Sequence, residues 1–239
     1  MYYKFLHKLV AKEESRSVNA HTDTTPSEGH NYNFEFAKPY IKNKVILDIG
    51  CWTGQFERLS VGVAKKIFAI DPDKKAIIFA KKTIKGPIFT TGSATKLDFK
   101  NNTFDVVTLF DVLEHVPLDS ELKCFKEIYR VLKPKGVLLI ITPNKHPIAV
   151  LLDPAFWAFG HRHYSKKEMK NLLKSAKFEK SQIAIVGGLW NISTFIISMI
   201  AKHILKFDLE YPEYIKAKMR KEYRPGGITS MRVIATKSV

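Results

Sequence analysis

The chain has 239 residues, of which 45% are hydrophobic and 26% charged, with twelve glycines and eleven prolines. That is enough for one large core without disulfide or metal staples, and the composition excludes a disordered, collagenous or repeat-array protein. Cys51 and Cys124 are the only cysteines, which excludes a disulfide scaffold and points to a reducing, cytoplasmic compartment. Thirty-nine Lys and Arg against 23 Asp and Glu leave a net charge of +16, directing attention to nucleic acid, phosphorylated substrates or an anionic membrane surface.

Residues 1–40 are polar and irregular, with a Ser/Thr/His-rich stretch over 18–32, and read as a leader or lid ahead of the core. Their first seventeen residues lack the unbroken apolar run and small-residue cleavage site of a secretory signal. From Lys44 onward, short runs rich in Val, Ile and Leu alternate with longer helical patterns. The runs at 45–49, 67–70, 88–91, 104–110, 137–142, 182–186 and 231–236 read as strands. The early ones are apolar on both faces, as expected where helices cover both sides of a parallel sheet, so the chain reads as a doubly wound α/β domain over 41–239.

Between the runs, 73–85 carries Ala76, Ile77 and Ala80 at helical spacing, and Leu122, Phe125, Tyr129 and Leu132 recur likewise until Pro134 and Gly136 stop them. Ser165 with Glu168 is a capping-box pair, followed by the apolar stripe of Met169, Leu172 and Leu173. Residues 181–201 contain no charge, which by length nominates a membrane span. Gly187, Gly188, Asn191, Ser193 and Thr194 interrupt that run, so a strand, a turn and an apolar helix over about 189–205 are more economical. Residues 187–227 then form a helical insertion, read as a cap over the substrate side, with a dimer face or an interfacial membrane anchor as alternatives.

The most informative stretch runs from Val45 to Phe56, a buried strand entering a glycine-punctuated turn and a helix. Gly50 and Gly54 allow a sharp turn and a close approach by a ligand. Asp71, about 20 residues past the first glycine, ends the next strand where a carboxylate can accept from both hydroxyls of a ribose. The dinucleotide fingerprint G-x-G-x-x-G is absent. Asp48, two residues before Gly50, would repel a pyrophosphate, so the arrangement suits a ligand with a positive centre better than NAD.

In these residues the chain resembles the class I S-adenosylmethionine-dependent methyltransferases of the ubiquinone-biosynthesis type. The matching pieces are Leu47-Asp48-Ile49-Gly50-Cys51-Trp52-Thr53-Gly54, then Ile70-Asp71, Phe104-Asp105-Val106-Val107, the run from Asp111 to Val116, and Arg130 to Val137. The resemblance implies a Rossmann-like seven-stranded sheet with the last strand antiparallel and S-adenosylmethionine across the carboxyl ends of the first strands. On that analogy Asp48, Gly50, Cys51, Thr53 and Gly54 line the methionine side, and Asp71 with Pro72 holds the ribose. Ser93 and Ala94 sit by the adenine, and Asp111 closes the cofactor set. Trp52 stands where relatives carry glycine, and Ser93 where many carry an acid.

Methyl transfer is an in-line displacement, so the protein must hold the nucleophile against the methyl and, where that nucleophile carries a proton, supply a base. Asp111, Glu114 and His115, at i, i+3 and i+4, share a face if a helix begins there. The same Asp-x-x-Glu-His pattern resembles the metal-associated motif of ubiquinone-type O-methyltransferases and of small-RNA terminal 2′-O-methyltransferases. A divalent cation is one reading and not the favoured one, and no residue is assigned as a metal ligand. His115 is the expected base, with Glu114, His163 and Tyr164 beside it. Phe156, Trp157 and Phe159 make the loop after Asn144 aromatic-rich, compatible with a flat or lipidic acceptor. The expected reaction is methylation, on a hydroxyl, of a hydrophobic small molecule that is quinone-like or carries a lipid or glycosyl group. RNA methylation, which the +16 charge favours, and a non-catalytic cofactor-binding module stand as alternatives. A peripheral membrane contact stays open, and the sequence does not set the oligomeric state.

Overall fold

The computed structural model describes residues 26–203, 205, 207 and 209–238. In chain order the elements are helix α1 (Glu28–Ile41), strand β1 (Val45–Ile49), α2 (Gln55–Ser60), β2 (Lys66–Asp71), α3 (Lys74–Thr83), β3 (Ile88–Thr91) and β4 (Phe104–Phe110). A single 3-10 turn (Leu113–His115) leads to α4 (Glu121–Val131), β5 (Leu132–Pro143), α5 (Pro147–Leu151), α6 (Pro154–Phe159) and α7 (Lys166–Ser175). The chain closes with β6 (Lys180–Val186), α8 (Leu189–His203), α9 (Glu213–Glu222) and β7 (Ser230–Thr236).

The seven strands form one sheet in the order β3-β2-β1-β4-β5-β7-β6. β1 pairs in parallel with β2 and β4, β2 with β3, and β4 with β5, while β7 is antiparallel to both β5 and β6. This is the doubly wound sheet with a reversed last strand that the sequence pattern and the resemblance lead one to expect. Its cause is visible in burial: Ile46, Leu47, Ile49, Val107, Leu109, Leu138, Leu139 and Ile140 are all nearly or wholly inaccessible, so each central strand needs cover on both faces. Because β1, β2, β4, β5 and β6 all point the same way, their carboxyl ends line one edge of the sheet.

Local signals placed most elements well. Asp73 caps α3, its Oδ1 accepting from the N–H groups of Lys75 and Ala76, and the Ser165–Glu168 capping box forms at α7 as expected. Two differences are informative. β5 begins at Leu132 rather than 137, because Leu132 pairs with Phe104 before the register jumps to Val106 opposite Val137. Lys135 sits at φ 64 in that irregular stretch, so Pro134 and Gly136 shape a bulge in a longer strand.

The second difference concerns the stretch read as irregular up to residue 40. From Glu28 it is a helix that buries Phe34, Ala37 and Ile41 against Ile46, Phe56, Ile67, Val106 and Leu139. Its polar face masked a short apolar stripe. Residues 1–25 lie outside the described residues. Among those described, no helix is long and apolar enough to cross a membrane.

Candidate active site

Three strand ends build the first half of the site. After β1 the chain turns through Gly50 (φ 83), Trp52 (φ 46) and Gly54 (φ 91). The N–H groups of Gly50 and Cys51 both donate to the Ile70 carbonyl, at 2.7 and 3.1 Å, which ties the loop to the end of β2. Asp71 fastens the same joint: its Oδ2 accepts from Trp52 N–H at 3.0 Å and its Oδ1 from Asp73 N–H at 2.8 Å. Each carboxylate oxygen keeps a further lone pair, so Asp71 can still accept from a ligand hydroxyl. Trp52 occupies a left-handed conformation that costs a bulky residue roughly 1–2 kcal/mol, held by that bond to Asp71.

The glycines serve packing as much as ligand approach. A Cβ on Gly50 would lie 2.1 Å from Val112 Cγ2, and one on Gly54 2.5 Å from Ile84 Cδ1. The loop therefore leans on the segment that follows β4. Cys51 and Thr53 are buried within it, the Cys51 thiol being pushed strongly upward by burial and by the neighbouring carboxylates. Both form the underside of the loop.

Beneath the loop lies an acid pair that the sequence reading missed. Asp48 is buried, accepts from the Thr108 hydroxyl, and has its carboxyl pushed up to about 6 by burial, partly offset by hydrogen bonds from Glu57 and Thr108. Glu57, in α2, is fully buried and, among the described residues, receives no N–H or O–H from any other group. Burial, then the charge of Asp48 beside it, raise its carboxyl well above the usual range. The only signal in the sequence was an acidic residue beside Phe56 in the short helix that follows the loop. Asp48, Glu57 and Asp71 together make the loop acid-rich. A sulfonium-bearing amino-acid nucleoside fits that donor set and a pyrophosphate does not.

Ser93 and Ala94 follow β3 at the same sheet edge; the Ser93 hydroxyl lies 3.1 Å from that of Thr95 and accepts from its N–H. Pro72 is exposed beside Asp71.

The second half of the site is the segment from Asp111 to His115. The three motif residues do not share a face, because the chain makes a three-residue 3-10 turn here and not an α-helix. Asp111, at φ 54, is reached by solvent although protein surrounds it. That surrounding mass pushes its carboxyl upward, while the Asn33 amide and His161 pull the other way. Glu114 turns inward, is buried, and accepts from Thr142 Oγ1 at 3.0 Å. Burial and then the charge of Asp111 raise it well above the usual carboxylate range.

His115 points outward instead, its Nε2 3.0 Å from Nε2 of His161. Burial of the ring and the proximity of His161 and Arg162 lower its pKa to about 4, so the imidazole is neutral at physiological pH. Asp153 lies beyond: its Oδ2 is 3.6 Å from His161 Nδ1 and 2.9 Å from His163 Nε2. Burial alone would raise the Asp153 carboxyl, but hydrogen bonds from the two histidines and from Ala155 N–H outweigh it and hold the group well below the usual range. His163 is committed on both nitrogens, to Asp153 and to the Asn144 carbonyl at 3.1 Å.

Arg162 clamps the 3-10 turn. It donates to the carbonyls of Leu113 (2.9 Å) and Val116 and to Glu121 Oε1 (2.5 Å). Tyr164 is a core residue: it is buried, and its hydroxyl donates to Leu113 O at 3.1 Å, with Glu121 Oε1 at 3.3 Å. The structure thus brings Asp111, Glu114, His115 and His161 together and sets His163 and Tyr164 behind them as supports. Among the described residues no three His, Cys, Asp or Glu side chains converge as metal ligands.

Beside Asp111, a cavity of about 530 Å³ lies between α1, α9 and β7, lined by Tyr32, Phe36, Tyr223 and Arg232 among others. Tyr32 and Tyr223 stack at 4.0 Å, and the Arg232 guanidinium lies 5.0 Å from the Phe36 ring centroid with its buried Nε unpartnered. Asn33 of α1 reaches Asp111, which places this cavity next to the motif and outside the glycine loop.

Comparison with known proteins agrees with this geometry. Residues 47–140 match the model of a family described as a methyltransferase domain. A protein of Mycolicibacterium smegmatis named as a probable S-adenosylmethionine-dependent methyltransferase is 29% identical over 134 residues, covering 56% of this chain and 51% of that one. A demethylmenaquinone methyltransferase of Lactococcus lactis is 34% identical over 119 residues, 46% of each chain. The chain spans about half the length of the curated relatives it matches. In fold it is similar to a solved S-adenosylmethionine-dependent methyltransferase of Thermotoga maritima, with a TM-score of 0.63 at 18% identity over the whole of both chains. Strand order, the acid-lined glycine loop and these matches together show that the chain carries, over residues 47–140, a methyltransferase domain of the class I S-adenosylmethionine-dependent family.

Proposed function

We propose that this chain methylates a hydroxyl of a hydrophobic small molecule, quinone-like or bearing a lipid or glycosyl group, using S-adenosylmethionine. Asp71 would hold the ribose hydroxyls, and Asp48, beneath the loop, would favour the positively charged amino-acid end, with Gly50 and Gly54 shaping the loop around it. Bound there, the cofactor supplies an electrophilic methyl on a sulfonium. The observation that carries the reading is His115: an imidazole at the exposed tip of the 3-10 turn, its Nε2 3.0 Å from that of His161.

His115 takes the acceptor hydroxyl's proton as the oxygen gains the methyl, and the Asp153 carboxylate favours the imidazolium that results. Arg162 holds the turn in place, so the base is presented on a fixed backbone. The cavity walled by Tyr32, Phe36 and Tyr223 offers aromatic surface to a flat acceptor, and the likeness to a demethylmenaquinone methyltransferase supports a quinone-like one. The net charge of +16 keeps RNA as the second reading, which binding weakening steeply with salt would favour.

The test pairs labelled S-adenosylmethionine with fractionated cell extract, wild type against His115→Ala. The expected result is label in an apolar extract fraction, a transfer rate lowered by about 10²–10⁴ in the variant, and unchanged cofactor affinity by calorimetry. Loss of cofactor affinity in the variant overturns the assignment of His115 as base, and label in the RNA fraction overturns the small-molecule reading.

A further inference from the structure

Helix α8 is inside out. Its inward stripe is small and polar: Thr194 and Ala201 are 4% and 3% exposed, Asn191 Nδ2 donates to Glu222 at 2.7 Å, and Ser198 bonds the Tyr211 hydroxyl at 3.0 Å. Its outward side carries Leu189, Trp190, Phe195, Ile197 and Ile200, each 40–59% exposed. A helix packed on a protein core ordinarily shows the opposite arrangement. Its seating is nonetheless specific: the Glu222 carboxylate of α9 caps its first turn, accepting from the N–H groups of Gly188, Trp190 and Asn191 at 2.9–3.0 Å. The fold thus fixes this helix by its polar side and holds its apolar side outward.

Two further observations say what that side meets. The helix leaves the carboxyl end of β6, and α5 and α6 leave the carboxyl end of parallel β5, so exposed Leu151 and Trp157 (64% and 56%) stand at the same edge of the sheet. The neighbouring helix α9 carries four basic residues against Glu213 and Glu222. Glu222 is consumed in capping α8, Glu213 pairs with Arg220 and Glu28 of α1 with Lys216, while Lys218 lies 4.1 Å over the Trp190 ring. An apolar face rimmed by a Trp–Lys pair, on a chain of net charge +16, matches a bilayer with anionic headgroups.

We propose that α8 is a membrane-docking helix, which lays its Trp190–Ile200 face into an anionic lipid surface with the catalytic edge of the sheet turned toward the bilayer. Docking of this kind would let a lipidic acceptor reach the site without crossing water. The binding itself does not depend on the methyl-transfer reading.

The test is co-sedimentation of the full chain with vesicles of phosphatidylcholine, with and without about one-third phosphatidylglycerol, for wild type and Phe195→Glu/Ile197→Glu. Both substituted side chains are half exposed, so circular dichroism and cofactor calorimetry should match wild type. The expected result is sedimentation with anionic vesicles, weakened by salt, and a partition constant about 100-fold or more lower in the variant. Wild type remaining in the supernatant, or a variant that sediments equally, overturns the proposal. So does light scattering that shows a wild-type dimer made monomeric by the substitutions, which assigns the face to a second copy of the chain. Absence of cofactor binding with vesicle binding intact would defeat the enzymatic reading alone.

Discussion

Gly50→Ala tests how the cofactor loop is held to the rest of the site. At φ +83, an alanine costs about 1–2 kcal/mol in backbone energy. Its Cβ would also lie 2.1 Å from Val112 Cγ2 and within 3.4 Å of the other two side-chain carbons of that residue, an overpacking worth about 1–3 kcal/mol. The sum, about 2–5 kcal/mol, is a large part of the 5–15 kcal/mol that stabilises a typical domain. Val112→Ala alone should cost about 1 kcal/mol, since Val112 is half-buried. The two substitutions should not add: with the valine methyls gone only the backbone penalty remains, which predicts a coupling energy of about 1–3 kcal/mol. Urea denaturation of the four proteins measures it, the single glycine variant shifting the midpoint by about 1 M or more. Additivity within about 0.5 kcal/mol would show that the loop does not rest on Val112, and the argument linking the glycine loop to the Asp111 segment would fail.

Replacing Asp71 by Asn puts an amide NH₂ or a weaker acceptor against the Trp52 and Asp73 N–H groups and removes the charge. Cofactor affinity in calorimetry should drop by roughly 10- to 150-fold, the range expected for one charge-assisted bond, and an unchanged affinity contradicts the ribose role. Trp52→Gly relieves a left-handed tryptophan, and should leave stability within about 1 kcal/mol of wild type; a loss of 3 kcal/mol or more would mean that the indole is a packing anchor. For the acid pair, folded pKa values lie above the unfolded ones, so the pair's contribution to stability is present at low pH and lost as pH rises through the folded values. Thermal unfolding between pH 5 and 8 should therefore decline less steeply in Glu57→Gln than in wild type, and an identical slope refutes the upward shift of the pair. The ring protons of His115 should titrate near pH 4 by NMR, so that transfer activity shows no acid-limb loss from this group above about pH 5; a midpoint near 6.5 would place the ring in open water.

Much of this protein was written in its local chemistry. Runs of Val, Ile and Leu two-faced in their apolarity demanded a covered parallel sheet, Asp73 and the Ser165–Glu168 pair marked helix starts through backbone hydrogen bonds, and Gly50 and Gly54 marked the tight turn after the first strand. These are effects acting over a few residues, so they survive in one dimension. Tertiary structure alone decided the rest. That Glu114 faces Thr142 while its neighbour His115 faces His161 follows from a 3-10 turn clamped by Arg162, forty-odd residues away in sequence. The Glu57 carboxyl is pushed upward only because burial beside Asp48 makes its ionised form costly. Helix α8 reads as apolar in sequence, yet its polar stripe is the buried one, because Glu222 and Tyr211 offer partners there. Burial, long-range partners and solvent access belong to the folded surface, and no periodicity in the chain encodes which of two faces will find them.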